Sequence, residues 1–371
     1  MCHVPATAGP FAPGVRVLSR AAATGSAASA GLDQAYRRLL WQRGAVVLGF
    51  LAALTASIVI DVSTGPSNLP IGTVIDALLG GDVDRSATVI VWTIRLPYAL
   101  IAVLVGASLA LAGAEMQTIL NNPLASPFTL GVSAAAAFGA ALAIVLDLGI
   151  PGVPQNWLVS ANAFVFTLLC VIMIQGLASW RGASVESLVL FGIALVFTFN
   201  ALTSLMQFVA SQEALQQLVF WTMGSLTRAT WEKIGIVALA LAVALPFSLR
   251  ASWSLTALRL GEDRAQSFGI DVARLRLATM FRVSLLSALA VAFVGTIGFV
   301  GLVGPHIARL LVGEDHRFFL PASALCGALI LSLASIASKM LIPGLIIPVG
   351  IVTALVGIPF FLSIILGRGQ R

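Results

Sequence analysis

Nine apolar stretches, each near the length that crosses a bilayer, constrain this chain more than any other feature. They occupy residues 44–60, 89–113, 128–150, 157–179, 187–210, 234–249, 277–294, 319–342 and 343–366. A hydrocarbon layer about 30 Å thick takes about 20 helical residues to cross. It offers no water to an unpaired backbone, so a helix, which satisfies its own amides, is the natural way through. A shorter stretch, 297–312, is loosened by glycine and supplies a tenth candidate. Charged residues are only 10% of the 371 and mean hydropathy is +1.01, against about 25% charged in a soluble domain. We expect an all-α polytopic membrane protein with about ten crossings, forming one permease-like domain over 44–371.

Residues 1–43 read differently, as Ala, Gly, Ser, Pro and Arg without a period. No continuous apolar core of a signal peptide is present there, and a flexible polar extension on the cytoplasmic side is expected. Cys2, Cys170 and Cys326 have no metal or redox spacing and read as packing residues. Basic residues collect on the inner loops of membrane proteins. With the N-terminus inside and ten crossings, all but Arg85, Arg95, Arg228, Lys233 and Lys339 of the 21 fall on the inner side. Both termini are therefore expected in the cytoplasm, and the net charge of +6 reflects topology rather than a nucleic-acid partner, whose footprint would be one patch.

Several function classes fall away. His306 and His316 lack the spacing of a metalloprotease pair, and His3 lies in the extension. Carboxylates within the spans are scarce, with Glu115 and Glu186 near inner ends, which weakens a proton- or ion-coupled carrier. A P-loop needs Gly-Lys-Ser/Thr, and the two lysines stand in Glu-Lys-Ile and Ser-Lys-Met. The chain is thus not expected to be an enzyme, and ATP and Mg, if used, would sit on a partner. The longest cytoplasmic loop expected, about 250–276, is the most polar stretch after the extension and contains LGEDRAQSFGI, in which Gly261 and Gly269 bracket a helix of one or two turns with Glu262 and Asp263 in its first turn.

In GTIGFVGLVGPHIARLLVGEDHR, glycines at 295, 298, 301 and 304 precede Pro305 and His306. Each costs roughly 1 kcal/mol of helix propensity against alanine, so the spacing favours close helix contact or a helix break. His306 reads as a helix-contact residue, and a dinucleotide loop is disfavoured without a βαβ context. A first-half counterpart is NNPLASP, where Pro123 and Pro127 interrupt helix and Asn121 and Asn122 can cap the freed backbone.

Long motifs now align in one order. RLPYALIAVLVGASLALAGAEMQTILNNPLASPFTLGVS, WTMGSL, LGEDRAQSFGI, GFVGLVGPHIARLLVGEDHR and IPVGIVTALVGIPFFL resemble successive signatures of the FecCD/BtuC family. Its members are membrane permeases of type II ABC importers for ferric siderophores, haem and cobalamin. The resemblance runs from about residue 70 to the C-terminus.

It implies a BtuC-like fold with an inverted repeat, in a plasma-membrane (inner-membrane) homodimer surrounded by lipid. Two ATP-binding subunits and one extracytoplasmic binding protein would complete the assembly. By that resemblance Gly261, Glu262, Asp263, Arg264, Ala265 and Gly269 would seat in the ATPase, and Arg95 and Lys339 would meet the binding protein. The path would involve Asn200, Thr203, Ser204, Met206 and Gln207, with helix breaks at Asn121, Asn122, Pro123, Gly301, Gly304, Pro305 and His306. A ferric siderophore is the first expectation for cargo, with haem and cobalamin as alternatives; no cofactor or metal site is expected in the chain itself. A proton-coupled carrier relying on Glu115 is the alternative of a different class. Three departures stand out: Tyr98 replaces the second arginine of RLPR, Ser335 an aspartate near the end of the ninth span, and Ile346 a glutamate before the LPVG element.

Overall fold

A computed structural model describes residues 14–67, 69–147, 149–181 and 185–368. The chain divides into two compact units, Met1–Ala45 and Val46–Arg371. The helices are α1 (Gly14–Ser63), α2 (Ile71–Leu79), α3 (Arg85–Val89), α4 (Leu96–Ile119), α5 (Val132–Val145), α6 (Gln155–Arg181), α7 (Val185–Val209) and α8 (Gln212–Thr222). They continue with α9 (Trp231–Arg250), α10 (Ser252–Leu258), α11 (Glu262–Ser267), α12 (Val272–Val294), α13 (Val300–Val312), α14 (His316–Met340) and α15 (Val349–Arg368). A π-helical turn, Ile90–Arg95, joins α3 to α4.

Among the described residues, seven helices are long and apolar enough to cross a membrane, and three shorter apolar helices accompany them. Together they fill the ten expected places. Boundaries shift where backbone chemistry overrides hydropathy. The third span starts at Val132, because Gly131 takes a left-handed φ of 86° and starts the helix afresh. The last starts at Val349, since Ile342 and Leu345 close a bridged turn ahead of Pro348. Within the extension expected to be flexible, α1 begins at Gly14. Its alanines, the strongest helix formers, explain that without any apolar face. Residues 1–13 lie outside the described residues.

α4 is the axis of the second unit: 20 of its 24 residues are buried. It achieves this with small side chains. A Cβ on Gly106 would fall on the carbonyl oxygen of Gly327 in α14, and one on Gly113 on that of Gly301 in α13. A Cβ on Gly304 would stand 3.0 Å from Ala110 Cβ. Three helices therefore meet at near backbone-to-backbone distance, the packing mode that works in lipid, where burial of apolar side chains gives no advantage.

Pro305 was an expected break, yet α13 runs through it; the interruption comes earlier, at 295–299. A helical proline leaves the carbonyl four residues back without its donor. That carbonyl belongs to Gly301 and lies against Gly113 in α4. Gly295, at φ 83° and ψ −167°, ends α12 in a conformation that side chains resist, and Phe299 follows at φ 67°.

The break at 295–299 and the NNPLASP turn meet. Gly298 faces the Phe128 ring at 3.9 Å, and Gly301 lies 3.9 Å from Pro127 Cδ by the same Cβ measure. α5 and α13 both begin at this junction and run to opposite ends of the bundle. At 14 and 13 residues each is about 20 Å long, short of a full crossing. Neither first turn has a side-chain cap. Ser287, whose hydroxyl has no protein partner, lines the small cavity between them with Ser126, Ser133 and Phe299.

Candidate functional site

The polar segment after α9 folds into α10 and α11, the latter the short helix expected between Gly261 and Gly269. Gly261 (φ 109°) and Gly269 (φ 80°) permit the abrupt turns. Ala265 is fully buried and anchors α11, whereas Glu262, Asp263 and Arg264 face outward. Trp253 and Phe268 leave 61% and 54% of their surfaces exposed, with ring centroids 6.3 Å apart. Leu260 is 55% exposed beside them. An apolar patch rimmed by charge on the most polar part of the chain is the usual form of a protein-docking surface.

Side chains tie this segment to the end of α4. Arg276 pairs with Glu262 and donates to the Ile119 carbonyl at 3.4 Å. Arg259 Nη1 donates to Asn121 Oδ1 at 2.6 Å, and its Nη2 and Nε donate to Glu314 Oε1 and Oε2 at 2.6 and 3.2 Å. Glu314 also pairs with Arg309 Nε at 3.3 Å, and Arg309 Nη2 reaches Gln117 Oε1 at 2.8 Å. Burial acts to raise the Glu314 carboxyl, but the Arg259 hydrogen bond and the charges of Arg259 and Arg309 outweigh it and hold it below the ordinary glutamate value. His316 bridges Thr118 and Thr256 through its two ring nitrogens, at 2.7 and 3.1 Å.

Asn121 holds its place by backbone chemistry. The Asn122 N–H donates to Gln117 O and the Asn121 N–H to Thr118 O, the paired bonds that close a helix over a left-handed residue. Asn121 supplies that residue at φ 43°, which asparagine tolerates better than most. Asn122 Oδ1 accepts from Leu124 N at 2.9 Å, and Pro123 prevents the helix from resuming.

At the opposite end Arg95 and Lys339 are 4% and 7% exposed. Arg95 donates to the carbonyls of Val62 and Ser63 and to Ser67 Oγ, at 3.2, 2.9 and 3.1 Å. Lys339 Nζ pairs with Asp61 Oδ1 at 2.8 Å, donates to the Asp61 carbonyl at 2.9 Å and stands 4.5 Å from the Tyr98 ring centroid. Ser335 donates to both Asp61 oxygens at 2.8 and 2.9 Å. Sequence reading missed Asp61 because it ended the first span at residue 60, while α1 continues to Ser63. The serine that departs from the family pattern thus holds a carboxylate delivered by another helix, and Tyr98 covers the resulting pair.

Of the expected path residues on α7, Asn200 and Ser204 are exposed, Met206 and Gln207 half-buried, and Thr203 is turned inward onto the Phe199 carbonyl at 2.8 Å. Asn200, Ser204 and Gln207 form one polar stripe at helical spacing on a face that also presents Phe197 and Phe208. His306 stacks edge-on against Phe360 at 6.2 Å. Glu115 is fully buried and paired with Arg282, Nη2 to Oε1 at 2.7 Å.

Comparison with known proteins agrees with this architecture. A profile of the FecCD transport family matches residues 53–367. The assigned ABC transporter permease MJ0087 of Methanocaldococcus jannaschii is 38% identical over 92% of this chain and 99% of its own length. The hemin transport system permease HmuU of Yersinia pestis is 33% identical over 88% of this chain and 97% of its own. A solved chain from an ABC transporter assigned to the metal-chelate type, in an inward-facing conformation, superposes with a TM-score of 0.77 at 32% identity. It covers 88% of this chain and 99% of that one.

Proposed function

The chain belongs to the FecCD transport family and is the membrane-spanning permease of a type II ABC importer, and from that premise we propose that its cargo is a chelated iron complex, a ferric siderophore before haem or cobalamin. The observation that carries the reading is the α7 stripe: Asn200, Ser204 and Gln207 are neutral amides and a hydroxyl set among large apolar side chains. Such a face can pass a bulky complex whose metal is already satisfied, but it has no charge with which to strip or hold a bare cation. The hemin carried by one relative and the metal chelate named for the solved neighbour are cargoes of the same kind.

In this reading two copies face each other across the path. The segment at about 250–276 lies in the cytoplasm, a side that the distribution of basic residues supports. An ATPase subunit seats under each copy against α11, with Glu262, Asp263 and Arg264 at the rim of the contact and Trp253 and Phe268 at its apolar centre. A binding protein delivers cargo at the far face. Arg95 and Lys339 serve that face from beneath, fixing the ends of α1, α4 and α14, because their charges are spent on internal partners. Glu115 is fully buried and held by Arg282, so the proton-coupled alternative gains no support.

The test is uptake of labelled ferric siderophore, haemin and cyanocobalamin into proteoliposomes holding the permease, its ATPase and its binding protein. ATP-dependent uptake of the siderophore, abolished by Glu262→Ala with Asp263→Ala, is expected. Uptake driven by a pH gradient without the ATPase would overturn the importer reading; ATP-dependent uptake of cobalamin alone would overturn the cargo.

A further inference from the structure

Arg259 joins the turns of all three segments meeting at the coupling end: the turn between α10 and α11 that carries it, the closing turn of α4 through Asn121, and the turn between α13 and α14 through Glu314. Those last two turns lead into the two broken regions. The first continues through Pro123 and Pro127 to the junction where α5 begins; the second ends α13, whose other end begins at the same junction. The guanidinium fork is rigid and planar, so three of its nitrogens fix the relative positions of three backbones at once. Glu314 extends the tie through Arg309 to Gln117, one turn back along α4.

We propose that Arg259 is the positioning residue that transmits displacement of the coupling segment to both helix breaks, by clamping Asn121 and Glu314 to the α10–α11 turn. Without it α11 would still be held through Arg276 and Ala265 and could still dock, but the Arg276 tie ends at the Ile119 carbonyl, ahead of the NNPLASP turn, so most of a push on α11 would be lost before that turn. The inference rests on the importer reading and adds to it a specific route of transmission.

The experiment reads upstream and downstream motion separately in the reconstituted importer complex. A Cys2→Ser background carries an environment-sensitive fluorophore either at Gln266→Cys, exposed on α11, or at Leu124→Cys, 41% exposed in the NNPLASP turn. MgATP with vanadate is expected to shift emission at both positions in the otherwise unaltered chain. Arg259→Gln is expected to keep the shift at position 266 and to shrink the one at 124 at least fivefold. Asn121→Gly, which retains the left-handed turn but removes the amide, should do the same, so the outcome does not hang on one variant folding. Arg259→Lys, which keeps the charge but reaches only one partner, should recover part of the lost shift. Full shifts at 124 in both Arg259→Gln and Asn121→Gly would overturn the proposal. So would loss of both shifts, which would make Arg259 merely a docking support. Absence of any nucleotide-dependent shift at 266 in the unaltered chain would sink the importer reading itself, and the proposal with it.

Discussion

At the far end of the bundle Lys339 and Asp61 keep 3% and 0% of their side-chain surface exposed, whereas at the coupling end Arg259 and Glu314 keep 22% and 43%. Both are ion pairs with additional hydrogen bonds, and both join elements distant in sequence. The difference lies in what they grip. Lys339 and Arg95 bond to main-chain carbonyls near the end of α1, so their partners cannot move without moving a helix. Arg259 bonds only side chains, Asn121 and Glu314, in turns. A wet, side-chain-only tie can break and re-form at small cost; a dry tie to backbone cannot. The first suits a part that must switch, the second a part that must stay fixed while the other end moves.

The comparison can be broken most decisively at the dry end. Lys339→Met leaves the Asp61 carboxylate buried without its counter-charge, and about 3–5 kcal/mol of stability should be lost, read as a fall in melting temperature in detergent. Adding Asp61→Leu should recover most of it, since an apolar pair of similar size replaces a buried ion pair at little net cost. If the double variant melts as low as the single one, the pair is more than a strut.

Between the two ends, Gly113→Ala tests the shared seat of both. The new methyl meets the Gly301 carbonyl, and overpacking of this kind costs about 1–3 kcal/mol. Proteolysis should then release α13 first, while the Asp61–Lys339 tie survives.

At the wet end, Arg259→Gln should change global stability by less than about 1 kcal/mol, because partly exposed ion pairs contribute little. Its effect belongs to coupling. Raising salt from about 0.1 M to 1 M shrinks the screening length from about 10 Å to 3 Å. It should therefore reduce ATP-driven signalling while leaving the melting temperature nearly unchanged. The smallest effect expected is that of pH. Because the Glu314 carboxyl is held below its ordinary value of 4.5, its contribution is complete above that value and is lost as pH falls further through the folded-state value. A melt compared at pH 7 and pH 4 should move only slightly, and less still in Glu314→Gln.

Much of this was legible in the chain because the signals were local. Apolar length marked the crossings, and Gly261 and Gly269 marked the ends of α11. Asn-Asn-Pro marked the close of α4, since the left-handed residue and the following proline are chemical requirements of that turn. What could not be read depends on partners far along the chain. Arg259 meets Asn121 across 138 positions, and Asp61 meets Lys339 across 278; neither distance leaves a periodic trace. α8 went unnoticed for a different reason: QEALQQLVFWT is too short and too polar for a span, and its helix is announced only by Ser211, whose hydroxyl caps Ala214 N at 3.2 Å. Charge counting grouped Arg95 and Lys339 on one side, but counting says nothing about depth, and both are buried.

The uncapped beginnings of α5 and α13 face one another in the interior, where the macrodipole gives each about half a positive charge. A permease wide enough for a large solute must still prevent ions from following it. Two like-signed helix ends would disfavour a bare cation at that depth within each copy, without an ionisable side chain that a change in pH could silence. The same small-residue sequence that lets the helices stop short would thereby help the membrane keep its voltage while a large solute crosses it.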